Sequence, residues 1–450
     1  MIIVGGVAFI FGFFQAAKRG DKINKENAQK NQTKIIFWHA MGGPLGKVLD
    51  EMIDEFNQTH PDIYIVPQSM GNYNALSQKL LASAIAKNQP VLAQAYEAWI
   101  AKFVKGDLLL PFNKFITNVE DFKKDFYPVI FEDNVYKGKL YSLPFNKSTP
   151  ILYYNKELFK KSGLSTSPPQ TWDDFLMYSK TINKKNSNKL GYVGAGTVSD
   201  FECFLVQNGG KLLSDDGKTI LFNSKEGAEA LQFLLDMKYL HHVADYYIGA
   251  GFQFQTDFIT GRASMMIGSS VSRIYIEKNL MFNWGMAPLL RGKNKGVLIY
   301  GTNIVLFKNA TDKQQRAAWE FVQWFLSPKN QAKWAAQTGY LPARISSLKT
   351  KEFQKTIKNY PGLKKIIMGL KDGFIDPRTA VWFIARQNLE QAINNVFLSD
   401  KIISAYKNYN SSLASDPKNP KLKKQLNTRV QSIIKEELDK AAKKTQKWLE

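Results

Sequence analysis

A single cysteine, Cys203, stands in 450 residues. No intrachain disulfide can form, and this chain alone cannot supply a zinc ribbon or an iron–sulfur cluster. Histidine is nearly as scarce, with only His39, His60, His241 and His242. The last two are adjacent, so neither a helix nor a strand turns both toward one metal ion. His39 directly follows a strand-like run and reads as a structural histidine. No G-x-x-x-x-G-K-[ST] phosphate loop and no G-x-S-x-G nucleophile elbow is present. The nearest dinucleotide fingerprint, Gly194 to Ser199, has Ser199 at its third glycine position and reads as a turn. No pair of carboxylates is singled out for acid–base work. These absences point to a binding protein that needs no cofactor and no metal, rather than an enzyme.

Negative charge is the scarce sign. Sixty-one Lys and Arg face 39 Asp and Glu, a formal net charge of +22. Such an excess raises nucleic acid, an anionic membrane surface or an anionic solute as partners, without choosing among them. Eleven lysines and one arginine lie in Lys401–Glu450 against two aspartates and three glutamates. Aromatic side chains are not interleaved with them as a nucleic-acid stacking platform requires, so they read as the solvated face of amphipathic helices.

Only one long apolar run occurs, Met1 to Ala17, and it carries no charged side chain. Its length sits at the lower limit for a membrane span. No basic residue precedes it, Lys18 and Arg19 follow it, and no cysteine near it could carry a lipid. Export is the expectation, by a cleaved signal or an uncleaved anchor, to the periplasm or the outer face of the cytoplasmic membrane. Asp21 to Thr33, DKINKENAQKNQT, is polar and suited to a tether. Residues 1–33 are therefore set apart from the folded body.

The whole chain is 44% hydrophobic, and the body is long enough for two or more domains. KIIFW (Lys34–Trp38), Ile63–Pro67 and Pro90–Tyr96 read as strands. Gly46–His60, with Val48, Leu49, Met52, Ile53 and Phe56 on one face, reads as a helix. Asn72–Lys87 reads as another, with Leu76, Leu80, Leu81 and Ile85 along one side, and a third starts near Ala98. Thr171 is a plausible N-cap for a helix from Trp172. Leu298–Phe307 contains a late strand, and the last hundred residues read as mostly helical. The alternation predicts an α/β protein of two lobes, with parallel strands, a ligand cleft between the lobes and a helical C-terminal region.

Six segments taken together carry a resemblance. They are FWHAMGGPLG (Phe37–Gly46), MGNYNALSQKL (Met70–Leu80), LPFNKSTPILYYNKELFKKSGL (Leu143–Leu164), PPQTWDDF (Pro168–Phe175), FITGRASMMIGSS (Phe258–Ser270) and TGYLPAR (Thr338–Arg344). In this order and spacing the chain resembles the extracellular solute-binding proteins of bacterial ABC importers, most of all the glycerol-3-phosphate and glycerophosphodiester binders. The resemblance covers roughly residues 34–395. It implies the periplasmic-binding-protein fold, with residues 34–145 plus about 303–342 in lobe 1 and about 146–302 plus 343–450 in lobe 2. It also implies a monomer that captures a small glycerophosphate-like solute and hands it to membrane permease subunits, with no nucleic acid involved. The site residues it implies are Tyr73, Glu97, Ser148, Ser269, Gly301, Tyr340 and Arg386, with Arg378 a lesser counterpart. Two tryptophans of the family's glycerol end fall on Ala195 and Val198 here.

Such a set could hold an anion without chemistry. Hydroxyls and a backbone N–H donate to phosphate oxygens, Arg386 adds a charge-assisted contact, and Glu97 accepts from ligand hydroxyls. For Arg386 the alternative is a helix pair with Glu390. A neutral oligosaccharide binder of the same fold is a second reading, with Trp38, Trp99 or Trp284 in place of the missing tryptophans. An exported phosphodiesterase would need a metal cluster or a nucleophile–base pair, for which the sequence offers no candidate.

Overall fold

A computed structural model describes residues 32–449 other than Ser187, Ala250 and Lys418. The apolar segment Met1–Ala17 and nearly all of the polar tether lie outside the described residues. Among the described residues, no helix is long and apolar enough to cross a membrane.

The first strand, Thr33–His39, alternates: Thr33, Ile35, Phe37 and His39 are buried, and Lys34, Ile36 and Trp38 point outward. It pairs in parallel with Ile63–Ser69 on one side and Leu92–Ala95 on the other. Parallel neighbours need crossovers, and helices Gly43–Thr59 and Tyr73–Ala86 supply them. The first of these buries Leu49, Met52, Ile53 and Phe56, the face read from the sequence, with Val48 only half-buried. The second departs from expectation. Leu76, Leu80 and Ser83 are buried, whereas Leu81 and Ile85 are exposed. One residue advances a helix by 100°, so Leu81 and Ile85 belong to the flank of a narrower stripe.

Asn303–Leu306 joins this sheet antiparallel to Leu92–Ala95, and Ser142–Pro144 completes it, giving five strands. A second five-stranded sheet runs in the order Trp284–Pro288, Pro150–Asn155, Ala263–Ser269, Leu190–Gly194 and Ala244–Tyr246, again mixed parallel and antiparallel. Each sheet forms the core of one lobe, so the architecture is the expected two-lobed α/β fold.

The chain passes between the sheets more than once. It leaves the first at Pro144 for the second at Pro150, and returns between Leu298 and Asn303. Helices Asp312–Phe325 and Pro328–Thr338 pack on the first sheet's side, and helix Pro361–Met368 packs on strand Trp284–Pro288 of the second. The passing segments are tied together: Ser148 and Tyr300 exchange backbone hydrogen bonds, and Leu341 N–H donates to the Lys147 carbonyl at 2.7 Å. Helices Trp382–Phe397, Asp400–Ser415 and Pro420–Gln446 close the chain on the second lobe. Leu426, Val430, Ile434 and Leu438 enter the same apolar core as Tyr192 and Met265.

Candidate functional site

A cavity of about 830 Å³ opens between the lobes. From the first lobe come Ala40, Met41, Gly42, Tyr73 and Tyr96. Ser148, Tyr300, Gly301 and Tyr340 come from the crossing segments, and Phe252, Ser269 and Tyr275 from the second lobe. Five residues implied by the resemblance therefore meet here: Tyr73, Ser148, Ser269, Gly301 and Tyr340. Glu97 and Arg386 are not among the lining residues. No side chain with a formal charge is either, among the described residues.

Local sequence explains several positions. Tyr73 opens a helix whose N-cap, Asn72, accepts from Ala75 N–H at 2.9 Å, so its ring is fixed at the helix mouth. Tyr340 follows Gly339, which ends helix Pro328–Thr338 in the left-handed conformation (φ +78°), and its ring stacks on Trp334 at 5.5 Å. Gly301 has φ +124°, and a Cβ there would lie 2.2 Å from the Asn146 carbonyl oxygen. Only glycine fits that crossing.

Asn146 organises the first-lobe side, and sequence reasoning did not single it out. Its Nδ2 donates to the Tyr73 hydroxyl at 3.1 Å and to the Tyr340 hydroxyl at 3.0 Å. Its Oδ1 accepts from the Thr302 N–H at 2.8 Å and hydroxyl at 2.5 Å. Opposite, the Ser148 hydroxyl lies 2.5 Å from that of Ser269 and 3.0 Å from that of Ser270. Tyr300, also missed, reaches the same hydroxyls. Burial pushes its phenol up to about 12, and hydrogen bonding with Ser269 and Ser148 pulls the other way. His39 sits behind this wall, buried, with Nδ1 accepting from Met41 N–H at 3.2 Å. Burial lowers its pKa to about 4, so it is the neutral structural histidine expected.

Glu97 lies beneath the cavity. Its Oε1 accepts from Lys147 Nζ at 3.0 Å and from Asn303 Nδ2 at 3.3 Å, and Lys147 also pairs with Asp133. Burial first, and the neighbouring Asp133 carboxylate second, push the Glu97 carboxyl up. Two acids share one lysine, and Lys147 also reaches the Gly301 carbonyl at 3.3 Å, so the network braces the crossing strand.

Arg386 stands apart from the cavity, and its helix-pair alternative is corrected. It does not pair with Glu390. Its Nη1 donates to Glu202 Oε2 at 2.7 Å and Asp376 Oδ2 at 2.9 Å, and its Nη2 to Ser199 Oγ at 2.9 Å. Tertiary partners 184 and 187 positions away outcompete the exposed neighbour one turn on. Its side chain is still 30% exposed, and two of the five guanidinium donors are uncommitted. Burial pushes the Tyr96 phenol on the cavity wall up, and the charge of Arg386 opposes that rise. Arg378, on the second-lobe side, donates to the Glu132 and Val135 carbonyls of the first lobe.

Ala195 and Val198, where the resemblance implies tryptophans, do not line the cavity. Neither do Trp38, Trp99 and Trp284. Trp38 donates to Gln68 at 2.7 Å, Trp99 is buried against Tyr96, and Trp284 packs beside Tyr153 and Tyr360. The Gly194–Ser199 turn carries no dinucleotide site: Thr197 and Asp200 form a capping box that starts helix Val198–Gln207.

Comparisons with known proteins bear on the family and the fold. The family model for bacterial extracellular solute-binding proteins matches residues 51–363. The sn-glycerol-3-phosphate-binding periplasmic protein of Pectobacterium atrosepticum is 30% identical over 349 residues, 73% of this chain and 78% of that one. Its counterpart in Salmonella typhimurium is 29% identical over the same shares. Among solved structures, UgpB from Mycobacterium tuberculosis in complex with glycerophosphocholine has a TM-score of 0.73 at 19% identity, covering 91% of this chain and 99% of that one. The sugar-binding protein MalE from Xanthomonas citri has a TM-score of 0.71 at 22% identity, covering 90% and 98%. At those identities the solved structures establish the fold alone.

Proposed function

The chain belongs to the bacterial extracellular solute-binding proteins, the non-enzymatic binding components of ABC importers, and we propose that its solute is glycerol-3-phosphate or a glycerophosphodiester. The observation that carries this reading is a cavity rich in hydrogen-bond donors and free of carboxylates. The Ser148 and Ser269 hydroxyls meet on the cavity wall, and Tyr300 lines the same cavity. Gly42 and Tyr96, which start helices Gly43–Thr59 and Glu97–Lys105, also line it, as does Tyr73 at the start of a third helix. Helix N-termini present unpaired N–H groups and a partial positive charge, which suits a phosphate. The relatives bear on the same choice, since the similar proteins of Pectobacterium and Salmonella bind sn-glycerol-3-phosphate.

In this reading the Ser148–Ser269 side takes the phosphate, and Tyr73 and Tyr340 take hydroxyls. The free donors of Arg386 meet the solute as the lobes close. Glu97 acts indirectly, by holding Lys147 against Gly301, rather than as an acceptor for the solute. In the same reading the protein is an exported monomer, in the periplasm or at the outer face of the cytoplasmic membrane, that passes the solute to permease subunits.

A neutral sugar is the second reading, favoured by one observation. Tyr73, Tyr96, Phe252, Tyr275, Tyr300 and Tyr340 make an aromatic, formally uncharged lining. A thermal-shift panel separates the two. Glycerol-3-phosphate or a glycerophosphodiester at a hundredfold over its Kd should stabilise the protein by about 2.7 kcal/mol. A shift with maltose-like sugars and none with any phosphorylated compound would overturn the first reading.

A further inference from the structure

Phe252 is 74% exposed. It lines the interlobe cavity and faces the Tyr73 and Tyr340 side from the second lobe. Its position is built rather than accidental. Gly251, directly before it, has φ +60°, a region that favours glycine. Directly after it, helix Gln253–Ile259 is anchored by the buried Phe254 and Phe258, and Gln255 Nε2 donates to Ser272 Oγ at 3.2 Å. The backbone under Phe252 is thus fixed to the second sheet while its ring is left bare. Tyr275, 42% exposed, is the other uncovered aromatic of the same lobe on the same cavity.

We propose that Phe252 is a specificity-determining residue, whose ring covers the part of the solute that extends beyond its phosphate. This inference rests on the phosphate reading above. The hydroxyl cluster accounts for the anionic end, and no charged side chain lines the cavity around the other end. The aromatic lining offers a face on which alkyl, polyol CH or quaternary ammonium surface can pack. A cavity of about 830 Å³ is also far larger than a three-carbon phosphate monoester needs. Phe252 therefore discriminates phosphodiesters from the monoester.

The test is calorimetric titration of glycerol-3-phosphate, glycerophosphocholine and maltose into the parent protein, Phe252→Ala and Phe252→Trp. An exposed ring can be truncated without unfolding, so the melting temperature of solute-free Phe252→Ala should match the parent. Phe252→Ala should weaken glycerophosphocholine by about tenfold or more, yet change glycerol-3-phosphate by less than about twofold. Phe252→Trp should retain diester binding, and its new fluorescence should shift on adding diester. Equal effects on monoester and diester, or no effect on either, would overturn the role of Phe252 and leave the phosphate reading standing. Binding of maltose alone by the parent would instead overturn the phosphate reading, and the diester assignment with it.

Discussion

Arg386 donates to two carboxylates at once, and one of them, Glu202, has no solvent exposure. Burial raises the Glu202 carboxyl, and the guanidinium opposes that rise. Arg386→Ala would leave Glu202 and Asp376 facing each other without a cation. Removing one partner of a buried pair costs roughly 3–5 kcal/mol, so the urea midpoint should fall steeply. Lysine at 386 should restore only part, because it lacks the planar fork. Asp376→Asn leaves a one-to-one pair and should cost far less. Equal losses for Arg386→Ala and Asp376→Asn, by equilibrium urea denaturation, would contradict this account. A weaker affinity in Arg386→Ala must accordingly be measured at a temperature where that variant is folded. The sequence showed this arginine but not its partners. Asn146 makes the same point: it stands inside a legible motif, and its function comes from tyrosines 73 and 194 positions away.

Among the elements, helix Val198–Gln207 couples folding to pH. Its capping box joins Thr197 Oγ1 to Asp200 N–H at 3.2 Å and Asp200 Oδ2 to Thr197 N–H at 3.1 Å. Burial nevertheless raises the Asp200 carboxyl to about 6, with the cap bonds pulling it down. Below about pH 4 the carboxyl is protonated both folded and unfolded. Between about pH 4 and 6 the folded state binds the extra proton, so stability from this group falls as pH rises. Asn at 200 can keep the acceptor without titrating. The stability of the parent relative to Asp200→Asn should thus decline from pH 4 to 6 and level off above. Chemical denaturation across that range checks it, and a constant difference would refute it. The capping box was half legible, since a Thr three residues before an acid is a local signal. The burial that shifts the acid is not a local signal: its charge reaches the buried phenols of Tyr192 and Tyr246 on two strands of the second sheet and adds to their rise.

At the scale of the molecule, the cavity is shared by both lobes and the crossing segments, so occupancy should favour the closed arrangement. Small-angle scattering should show a smaller radius of gyration with saturating solute. Arg378 joins the second-lobe side to the Glu132 and Val135 carbonyls of the first lobe. Arg378→Ala should open the solute-free protein and enlarge its radius while leaving the melt of each lobe intact. An unchanged radius at calorimetrically proven saturation would count against closure, and an unchanged solute-free radius in Arg378→Ala would remove that contact from the account.

The sequence by itself determined what depends on neighbours a few residues apart. Short apolar β-prone runs and helical periodicity set the early strands and helices of the first sheet. It also carried the family, because spaced motifs survive where single residues do not. Tertiary structure alone decided which implied residues share a cavity. Five meet there. Glu97 is drawn beneath it by Lys147 and Asn303, and Arg386 is drawn aside by Glu202 and Asp376. The aromatic wall was also invisible beforehand, since Phe252, Tyr275 and Tyr300 come from separate elements of the second lobe and its crossing strand. The physical reason is range. Periodicity and capping act within a turn or two of the chain, whereas burial and charge pairing depend on which distant segments the two sheets bring together.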